Sequence, residues 1–227
     1  SQRLFSLREE AIKAVSHTTQ QHPTIRIGGH ESILTYYLPA FLQAYAEAYS
    51  TAKFQICPTP VTHIKSDIIA DKLDIAFVLE RPFQRQGLHL HTYRDELIVL
   101  VCAPEHPLAQ QTSVSGSDLA CQHLLLTEKG CCYRNQFERA LIDIGAYPSH
   151  ISEFVSIETI KECVKRNMGI GALSHISVAK ELARGELVVL PWQGENIVSQ
   201  IHLIYANRQE RNAQIQECIE FAQAFDF

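Results

Sequence analysis

Two adjacent thiols, Cys131 and Cys132, lie in the stretch whose residue types point most directly to chemistry. An apolar run over residues 124–126 ends at Thr127, a glycine follows, and apolar side chains then recur every three or four positions from Tyr133. This pattern predicts a turn from a buried strand into a helix. Such a turn directs free backbone N–H groups and the positive end of the helix dipole into the space above the strand, where a polar or anionic ligand can bind.

Cys132 is also a candidate redox residue, because a thiol at a helix N-terminus has a stabilised thiolate and reacts more readily with oxidants. The resolving cysteine expected for such chemistry is not found close downstream, since residues 135–146 contain no cysteine. Cys131 is a poor substitute, because a disulfide between adjacent residues strains the peptide between them. The alternative interpretation is that both thiols are small side chains that fill the turn.

The composition indicates a globular protein with its own core, since 46% of the 227 residues are hydrophobic. The net charge is −5 and no basic cluster longer than a pair occurs, so this part of the chain is not expected to bind nucleic acid by itself. The longest apolar run, residues 97–103, is too short to span a membrane, which favours a cytoplasmic protein without a membrane partner.

The other residues that could bind a metal or act as catalysts do not form a recognisable set. The seven cysteines lack the Cys-x-x-Cys spacing of metal sites. His89 and His91 share one face of a predicted strand, but together with His202 they lack a further ligand of known position. No group of nucleophile, base and orienting residue is recognisable either. We therefore expect no metal, no cofactor and no enzymatic activity.

Short strands alternate with helices along the chain, which predicts an α/β fold with a parallel sheet in each half. Residues 88–93 and 97–103 predict two further strands between the halves. The expected architecture is therefore two Rossmann-like subdomains joined by two crossover strands. The expected segments are a helix over residues 1–21, a first subdomain over 22–99 and 199–227, a second over 104–195, and crossovers near 99–104 and 195–200.

A cleft between the two halves is the expected binding site, because ligands in open α/β sheets bind outside the carboxyl ends of the strands. Thr127 is the first choice for a ligand contact, since it ends a strand and has no capping role. Ser32 and Ser156 have an alternative role as helix N-caps. The full set of candidates lies in the turns after strands and comprises Ser32, Ile33, Thr62, His63, Thr127, Cys131, Cys132, Ser156, Ile157 and His175.

Seven short motifs occur in an order and at a spacing that are specific together, although each is weak alone. They are Thr24-Ile-Arg-Ile-Gly28, Leu38-Pro-Ala-Phe41, Lys72-Leu-Asp-Ile-Ala76, Glu105-His-Pro-Leu-Ala109, Gly130-Cys-Cys-Tyr-Arg134, Ser156-Ile-Glu-Thr-Ile160 and Met168-Gly-Ile-Gly171. With these motifs, nearly the whole chain resembles the effector-binding domain of LysR-type transcriptional regulators, preceded by part of their linker helix. The resemblance implies a periplasmic-binding-protein type II-like fold.

The resemblance also implies a role. In such regulators a small molecule in the cleft changes the geometry of a dimer or tetramer, and a helix-turn-helix domain then binds DNA differently. We therefore expect a small polar or anionic effector and self-association to a dimer or tetramer. Contact with DNA is expected only through an N-terminal domain that this sequence does not contain.

Two positions carry specific expectations from this family. Similar regulators contact the effector with a hydroxyl at the position of Ser32, and peroxide-sensing members place their reactive cysteine in the turn that holds Cys132. One departure is Leu173-Ser-His175, where the family often has Leu-Pro, and it places a titratable histidine near the cleft. Two alternatives stay open: an oxidant sensor that acts through Cys132, and a solute-binding protein with the same cleft.

Overall fold

The computed structural model of the chain describes residues 24–50, 52–57, 59–148 and 150–226. The helix that the sequence predicts over residues 1–21 lies outside the described residues. Within the described ranges the chain forms nine strands and eight α-helices, with one 3₁₀ turn at Pro107–Gln110. Strands and helices alternate through most of this length, as the sequence pattern predicts.

The strands are β1 (Thr24–Gly29), β2 (Lys53–Ile56), β3 (Ile75–Glu80), β4 (Leu88–Cys102), β5 (His123–Thr127), β6 (His150–Phe154), β7 (Ile170–Ser174), β8 (Val188–Val189) and β9 (Ile197–Ala206). The helices are α1 (Glu31–Tyr36), α2 (Leu38–Ala48), α3 (Ile64–Ile69), α4 (Gly116–Ala120), α5 (Cys132–Asp143), α6 (Ile157–Lys165), α7 (His175–Ala183) and α8 (Ala213–Ala224).

The strands pair in the order β2-β1-β3-β9-β4-β7-β5-β6, with β8 beside β4. β1 is parallel to β2 and β3, and β5 is parallel to β6 and β7. Between these two parallel groups, β9 and β4 run antiparallel to each other and to the strands beside them. Two parallel α/β halves are therefore joined by an antiparallel pair, which confirms the predicted architecture.

The charged run after Tyr93 does not end a strand, so the prediction of two short strands over residues 88–93 and 97–103 is wrong. β4 is continuous, and its pairing with β9 shifts register between Thr92 and Asp95 and then continues. A bulge of this kind bends a strand without ending it. Ile98 pairs with β9 on one side and with β7 on the other, so the chain passes between the halves near this residue. The exact subdomain limits stay a prediction.

The core of the first half is built on α2, whose apolar residues recur at intervals of three and four. Leu38, Phe41 and Tyr45 are buried on one face of this helix. Phe221 of α8 and Phe225 just after it pack on the Phe41 ring, with centroids 5.9 and 5.6 Å apart. The last helix of the chain thus packs on α2 and extends the core of the first half.

The core of the second half is organised around β5, which is buried on both faces. Leu124 and Leu126 share an apolar cluster with Phe137 of α5, whereas Leu125 packs with Ile160 of α6. This burial explains the uninterrupted apolar run in the sequence, because a strand covered on both sides has no polar face. The packing also fixes the point at which the chain leaves the sheet after β5.

We predict that Phe41→Ala lowers the free energy of unfolding by about 3–5 kcal/mol, because it removes a fully buried ring at the centre of an aromatic cluster. Urea denaturation followed by circular dichroism measures this change. The exposed Gln43 on the same helix provides the control, and Gln43→Ala is expected to change stability by less than about 0.5 kcal/mol. Equal losses in the two variants would contradict the assignment of this core.

Candidate functional site

A small cavity lies between the two halves, next to the carboxyl ends of β1 and β5. Its volume is about 40 Å³, which is room for about three water molecules. A small organic ligand needs several hundred Å³, so it enters only if the two walls move apart. The first half contributes His30, Glu31, Ser32 and Val61, and the second half contributes Thr127, Glu128, Cys131, Tyr133, Val155 and Ile157.

Two residues with buried hydroxyls line this cavity from opposite halves. Ser32, near the start of α1, is 1% exposed, and its Oγ has no hydrogen-bond partner among the described residues. Thr127, at the end of β5, is 6% exposed, and its Oγ1 also makes no hydrogen bond of good geometry within the described chain. A buried hydroxyl without a partner costs about 1–3 kcal/mol. Both hydroxyls are therefore placed to gain free energy from a polar ligand.

Thr127 lies beside two further polar groups of the second half. Burial raises the pKa of the Cys131 thiol and raises the pKa of the Tyr133 hydroxyl well above its usual value, and the nearby Thr127 hydroxyl offsets part of each rise. Cys131 and Tyr133 are therefore uncharged at neutral pH. They contribute polar but neutral surface to the cavity wall.

Glu31 connects the two halves directly. Both of its carboxylate oxygens accept the backbone N–H of Ile157, at 3.1 and 3.2 Å, and the Ser156 hydroxyl donates to the same carboxylate at 3.4 Å. Ile157 is the first residue of α6, so a carboxylate of the first half caps a helix of the second. Burial raises the pKa of Glu31, and the hydrogen bonds from Ile157 and Ser156 act in the opposite direction.

A second polar bridge joins α1 to α6. The Tyr36 hydroxyl donates to Glu158, and the Lys161 ammonium donates to the Tyr36 oxygen at 3.0 Å. Lys161 also forms ion pairs with Glu158 at 2.9 Å and with Glu181 of α7 at 2.8 Å. The buried ammonium of Lys161 is thus balanced by two carboxylates.

A third bridge is made by Glu96 of β4, which is buried. One carboxylate oxygen accepts the Tyr37 hydroxyl at 3.0 Å, and the other accepts the backbone N–H of Ile176 in the first turn of α7 at 2.7 Å. The Tyr37 oxygen also accepts a hydrogen bond from Arg94. Each of these three bridges across the cleft thus includes a carboxylate, that of Glu31, Glu158 or Glu96.

The turn after β5 is held by Arg134, which is 3% exposed. Its guanidinium donates to Glu138 at 2.9 Å, to Glu153 at 2.6 Å and to the backbone carbonyl of Thr127. Gly130 in this turn has φ of +95°, a conformation that glycine adopts without strain. Arg134 is thus committed to positioning Thr127 and does not face a ligand.

Four of the candidates from the sequence line the cavity, namely Ser32, Thr127, Cys131 and Ile157. Ser156 does not line the cavity, but its hydroxyl donates to the lining residue Glu31. The same hydroxyl caps α6 by accepting the backbone N–H of Thr159. These residues come from three separate stretches of the chain. The fold brings them together because each follows the end of a strand or begins the next helix. Their contact with an effector stays a prediction.

Five candidates are placed elsewhere. Ile33 points into the core of the first half and is fully buried. Thr62 and His63 are exposed, and their neighbour Val61 lines the cavity instead, although a Cβ on Gly130 would lie only 3.1 Å from the Thr62 methyl group.

Cys132 and His175 also lie outside the cavity lining. Cys132 is half-buried and accepts a hydrogen bond from Gln136 at 3.5 Å. His175 is exposed at the start of α7, which follows directly from β7.

Sequence reasoning missed the acidic lining of the cleft. An acidic residue in the first turn of a helix ordinarily stabilises the dipole of its own helix, so nothing in the sequence indicates that Glu31 reaches α6. Glu128 follows the strand-end residue Thr127 and could have been selected by the same rule that selected Thr127. Within the described chain, no group of three or more His, Cys, Asp or Glu side chains is arranged to hold a metal ion.

His30 is a buried, neutral member of the cavity wall. Its Nδ1 accepts the backbone N–H of Leu79 at 2.9 Å. Burial lowers the pKa of His30 to about 4, and the positive charge of Lys65 adds to this effect. The side chain therefore ties the end of β1 to β3 as an uncharged imidazole at neutral pH.

The fold and the cleft define a two-lobed α/β ligand-binding domain, and comparisons with known proteins agree. The family described as the LysR substrate binding domain matches residues 18–226. The chain belongs to this family, and it is an effector-binding domain of the LysR type, a class that binds small-molecule effectors. No helix within the described ranges is long and apolar enough to cross a membrane.

The relatives are named as transcriptional regulators. The chain is 36% identical over 196 residues to the uncharacterised HTH-type transcriptional regulator YwqM of Bacillus subtilis, covering 86% of this chain and 67% of that protein. It is 27% identical to the HTH-type transcriptional regulator GltR of Bacillus subtilis, covering 82% of this chain and 62% of that protein. The chain thus spans about two thirds of the length of these relatives.

Neither the solute-binding alternative nor the oxidant sensor through Cys132 is favoured by these matches.

Solved structures share the fold. The regulatory domain of CcmR from Synechocystis PCC6803 in complex with 2-PG has a TM-score of 0.78 at 21% identity, covering 88% of this chain and 96% of that chain. The effector-binding domain of QuiR in complex with shikimate has a TM-score of 0.75 at 19% identity, covering 90% of this chain and 97% of that chain. These similarities confirm the fold class.

The neutral state of His30 predicts a loss of stability in acid. A histidine in an unfolded chain has a pKa near 6.5. Between about pH 6.5 and pH 4, His30 is therefore protonated in the unfolded chain and neutral in the folded chain. The free energy of unfolding is therefore unaffected by His30 above pH 6.5, and it falls by about 3 kcal/mol as the pH approaches 4. Chemical denaturation at a series of pH values measures the slope.

The matched variant for this test is His30→Gln, whose stability is expected to depend less on pH in the same window. The exposed His63 supplies the control, since His63→Gln should keep the slope of the wild type. Burial also lowers the pKa of His106 and of His202. Both residues are present in every variant, so their effects on the slope cancel when the variants are compared. Identical slopes for His30→Gln and the wild type would show that His30 is not buried in its neutral form.

Thiol labelling tests the placement of the cysteines. Burial raises the pKa of Cys102 to about 11, the pKa of Cys218 to about 12, and the pKa of Cys131 in the cavity wall. We expect iodoacetamide to modify the exposed Cys121 in the native protein and to modify these three only after unfolding in urea. Peptide mass spectrometry measures each site. Native labelling of Cys131 as fast as Cys121 would contradict the described turn.

Proposed function

We propose that the cleft between the halves binds a small polar effector and that binding changes the arrangement of the two halves. The observation that carries this proposal is the pair of buried hydroxyls of Ser32 and Thr127, which make no hydrogen bond of good geometry within the described chain and lie on opposite walls of one cavity. Buried polar groups are satisfied in nearly all folded proteins. A ligand that bonds both hydroxyls supplies what the protein alone does not.

The coupling from effector to arrangement follows from the contacts that close the cleft. A ligand between Ser32 and Thr127 needs more room than the cavity of about 40 Å³ offers. Its entry therefore separates Glu31 from Ile157, which are in contact at 3.1 Å. A ligand shifts such an equilibrium by the difference between its affinities for the open and closed arrangements.

The comparisons support an effector of low molecular mass. The structures similar in fold include a regulatory domain in complex with 2-PG, an effector-binding domain in complex with shikimate and another with its effector benzoate. Their identity to this chain is about 20%, so their ligands do not transfer to it. The common element is a small molecule bound by this fold.

Three further properties are part of the proposal. We propose that the domain self-associates to a dimer or tetramer, that it contacts DNA only through a helix-turn-helix domain like the one in its relatives' names, and that it acts in the cytoplasm. The membership in a family of transcriptional regulators supports all three. In this arrangement the effector changes DNA binding by changing the geometry between subunits.

A screen of small polar metabolites by thermal shift, followed by calorimetry on the hits, tests the proposal. We expect at least one hit whose affinity falls about tenfold in Ser32→Ala and in Thr127→Val, since each variant removes one hydrogen bond of about 1.4 kcal/mol. The stability of the free protein should stay the same or rise slightly, because an unsatisfied hydroxyl has been removed. Ser50→Ala, at an exposed position, is the control.

A screen without hits would count against the proposal. Hits whose affinity is the same in wild type, Ser32→Ala and Thr127→Val would show that the ligand binds at another place. Either result would leave the fold and the family unaffected.

A further inference from the structure

The cavity between the halves is acidic. Glu31 and Glu128 line it from opposite halves, and neither lysine nor arginine occurs among the described residues that line it. Burial raises the pKa of Glu31, and the negative charges of Glu158 and Glu128 raise it further, so several carboxylates act on the same space. Both Glu31 oxygens accept the backbone N–H of Ile157 and one of them also accepts the Ser156 hydroxyl, which is the arrangement of an ionised carboxylate.

The positions at which an anion would ordinarily bind are already occupied by the protein itself. The N-terminus of α6 is capped by Glu31, and the N-terminus of α7 is capped by Glu96. In the closed arrangement these two helix ends thus offer an external anion little unused positive potential.

Two buried or half-buried lysines near the cleft are paired with carboxylates. Lys161 is paired with Glu158 and Glu181, at 2.9 and 2.8 Å. Lys65 is paired with Glu80 at 2.7 Å and lies over the ring of Phe83. An anionic effector would therefore meet two carboxylates and neither lysine nor arginine among the described residues that line the cavity.

We propose that the cleft selects an effector that carries an ammonium group next to a hydroxyl or similar polar group. The ammonium lies between Glu31 and Glu128, and the polar group bonds the unsatisfied hydroxyls of Ser32 and Thr127. An ammonium group has three N–H donors and no acceptor, so it matches carboxylates that an anion cannot approach. This inference rests on the proposed function and specifies the class of effector for the same cleft.

The inference reverses one expectation from the sequence. The turn after β5 suggested an anion, because a helix N-terminus attracts negative charge. Entry of a ligand of any charge separates Glu31 from Ile157, and with an anion the displaced carboxylate then faces a like charge at close range. Like charges at short distance in a partly buried site repel strongly, so this arrangement is unfavourable.

Three small probes of similar size test the inference: ethanolamine, ethylene glycol and glycolate, at neutral pH and equal ionic strength. They carry a hydroxyl together with an ammonium, a second hydroxyl or a carboxylate. In calorimetry and thermal-shift titrations of the wild-type protein, we expect ethanolamine to bind more tightly than ethylene glycol and glycolate to bind least. The probes differ mainly in charge, so this order reports the potential of the cleft.

Two glutamate variants provide the structural control. Glu31→Gln removes the charge and keeps an oxygen that accepts the Ile157 N–H, so the fold should be retained. We expect it to weaken ethanolamine binding about tenfold, which corresponds to about 1.4 kcal/mol, and to strengthen glycolate binding. Glu105→Gln changes the net charge by the same amount at an exposed site away from the cleft, and it should leave both affinities unchanged.

The outcomes separate this inference from the proposed function. Glycolate binding more tightly than ethanolamine, or equal effects of Glu31→Gln and Glu105→Gln, would overturn the inference and leave the cleft as an effector site. If none of the three probes binds, the hits of the metabolite screen decide. Amine hits whose affinity falls in Glu31→Gln support the inference, and carboxylate hits overturn it. No binding by any probe or metabolite would overturn the inference and the proposed function together.

Discussion

The antiparallel pairing of β4 with β9 is the constraint on which the rest of the structure depends. The two strands stay in register from Leu88 opposite Ala206 to Ile98 opposite Ile197, apart from one shift between Thr92 and Asp95. Both passages of the chain between the halves run along this pair. The cleft walls can therefore move relative to each other only by bending or twisting the ribbon, and the bulge after Thr92 is the place where its hydrogen bonding is already interrupted.

Closure of the cleft relies on carboxylates that reach from one element to the backbone of another. Glu31 and Glu96 cap the two helices α6 and α7, and both lie at least partly buried. A buried carboxylate is stable only when its lone pairs accept hydrogen bonds. Each contact is therefore favourable when the cleft is closed and unfavourable when the carboxylate stays buried without its partner. An interface of this kind has two distinct arrangements, because the carboxylates are satisfied either by the helix ends or by water and ligand.

The sequence predicted the fold well because the fold depends on periodicity. Residues 124–126 are apolar without interruption because β5 is covered by helices on both faces, and α2 repeats its apolar residues at helical intervals. The error at residues 94–96 arose because a charged run normally ends a strand. In the structure Glu96 finds partners in Tyr37 and Ile176, which are distant in sequence and could not be anticipated.

The cleft was only partly predictable for a related reason. The rule that ligands bind beyond strand ends selected Ser32 and Thr127, since both positions follow from the order of strands and helices. The acidic character of the cavity depends on where the Glu31 side chain reaches, and its partner Ile157 lies 126 residues further along the chain. Rotamers and distances across two halves decide such a contact, and single-sequence patterns contain neither.

The contact between Glu31 and Ile157 has a consequence for how motion of the protein can be observed. The amide of Ile157 is the first of α6, so it has no carbonyl partner within its own helix. Among the described residues its hydrogen-bond acceptor is the Glu31 carboxylate of the opposite half. Hydrogen exchange at this amide therefore measures the opening of the cleft, whereas amides in the middle of α6 exchange only when the helix itself unfolds.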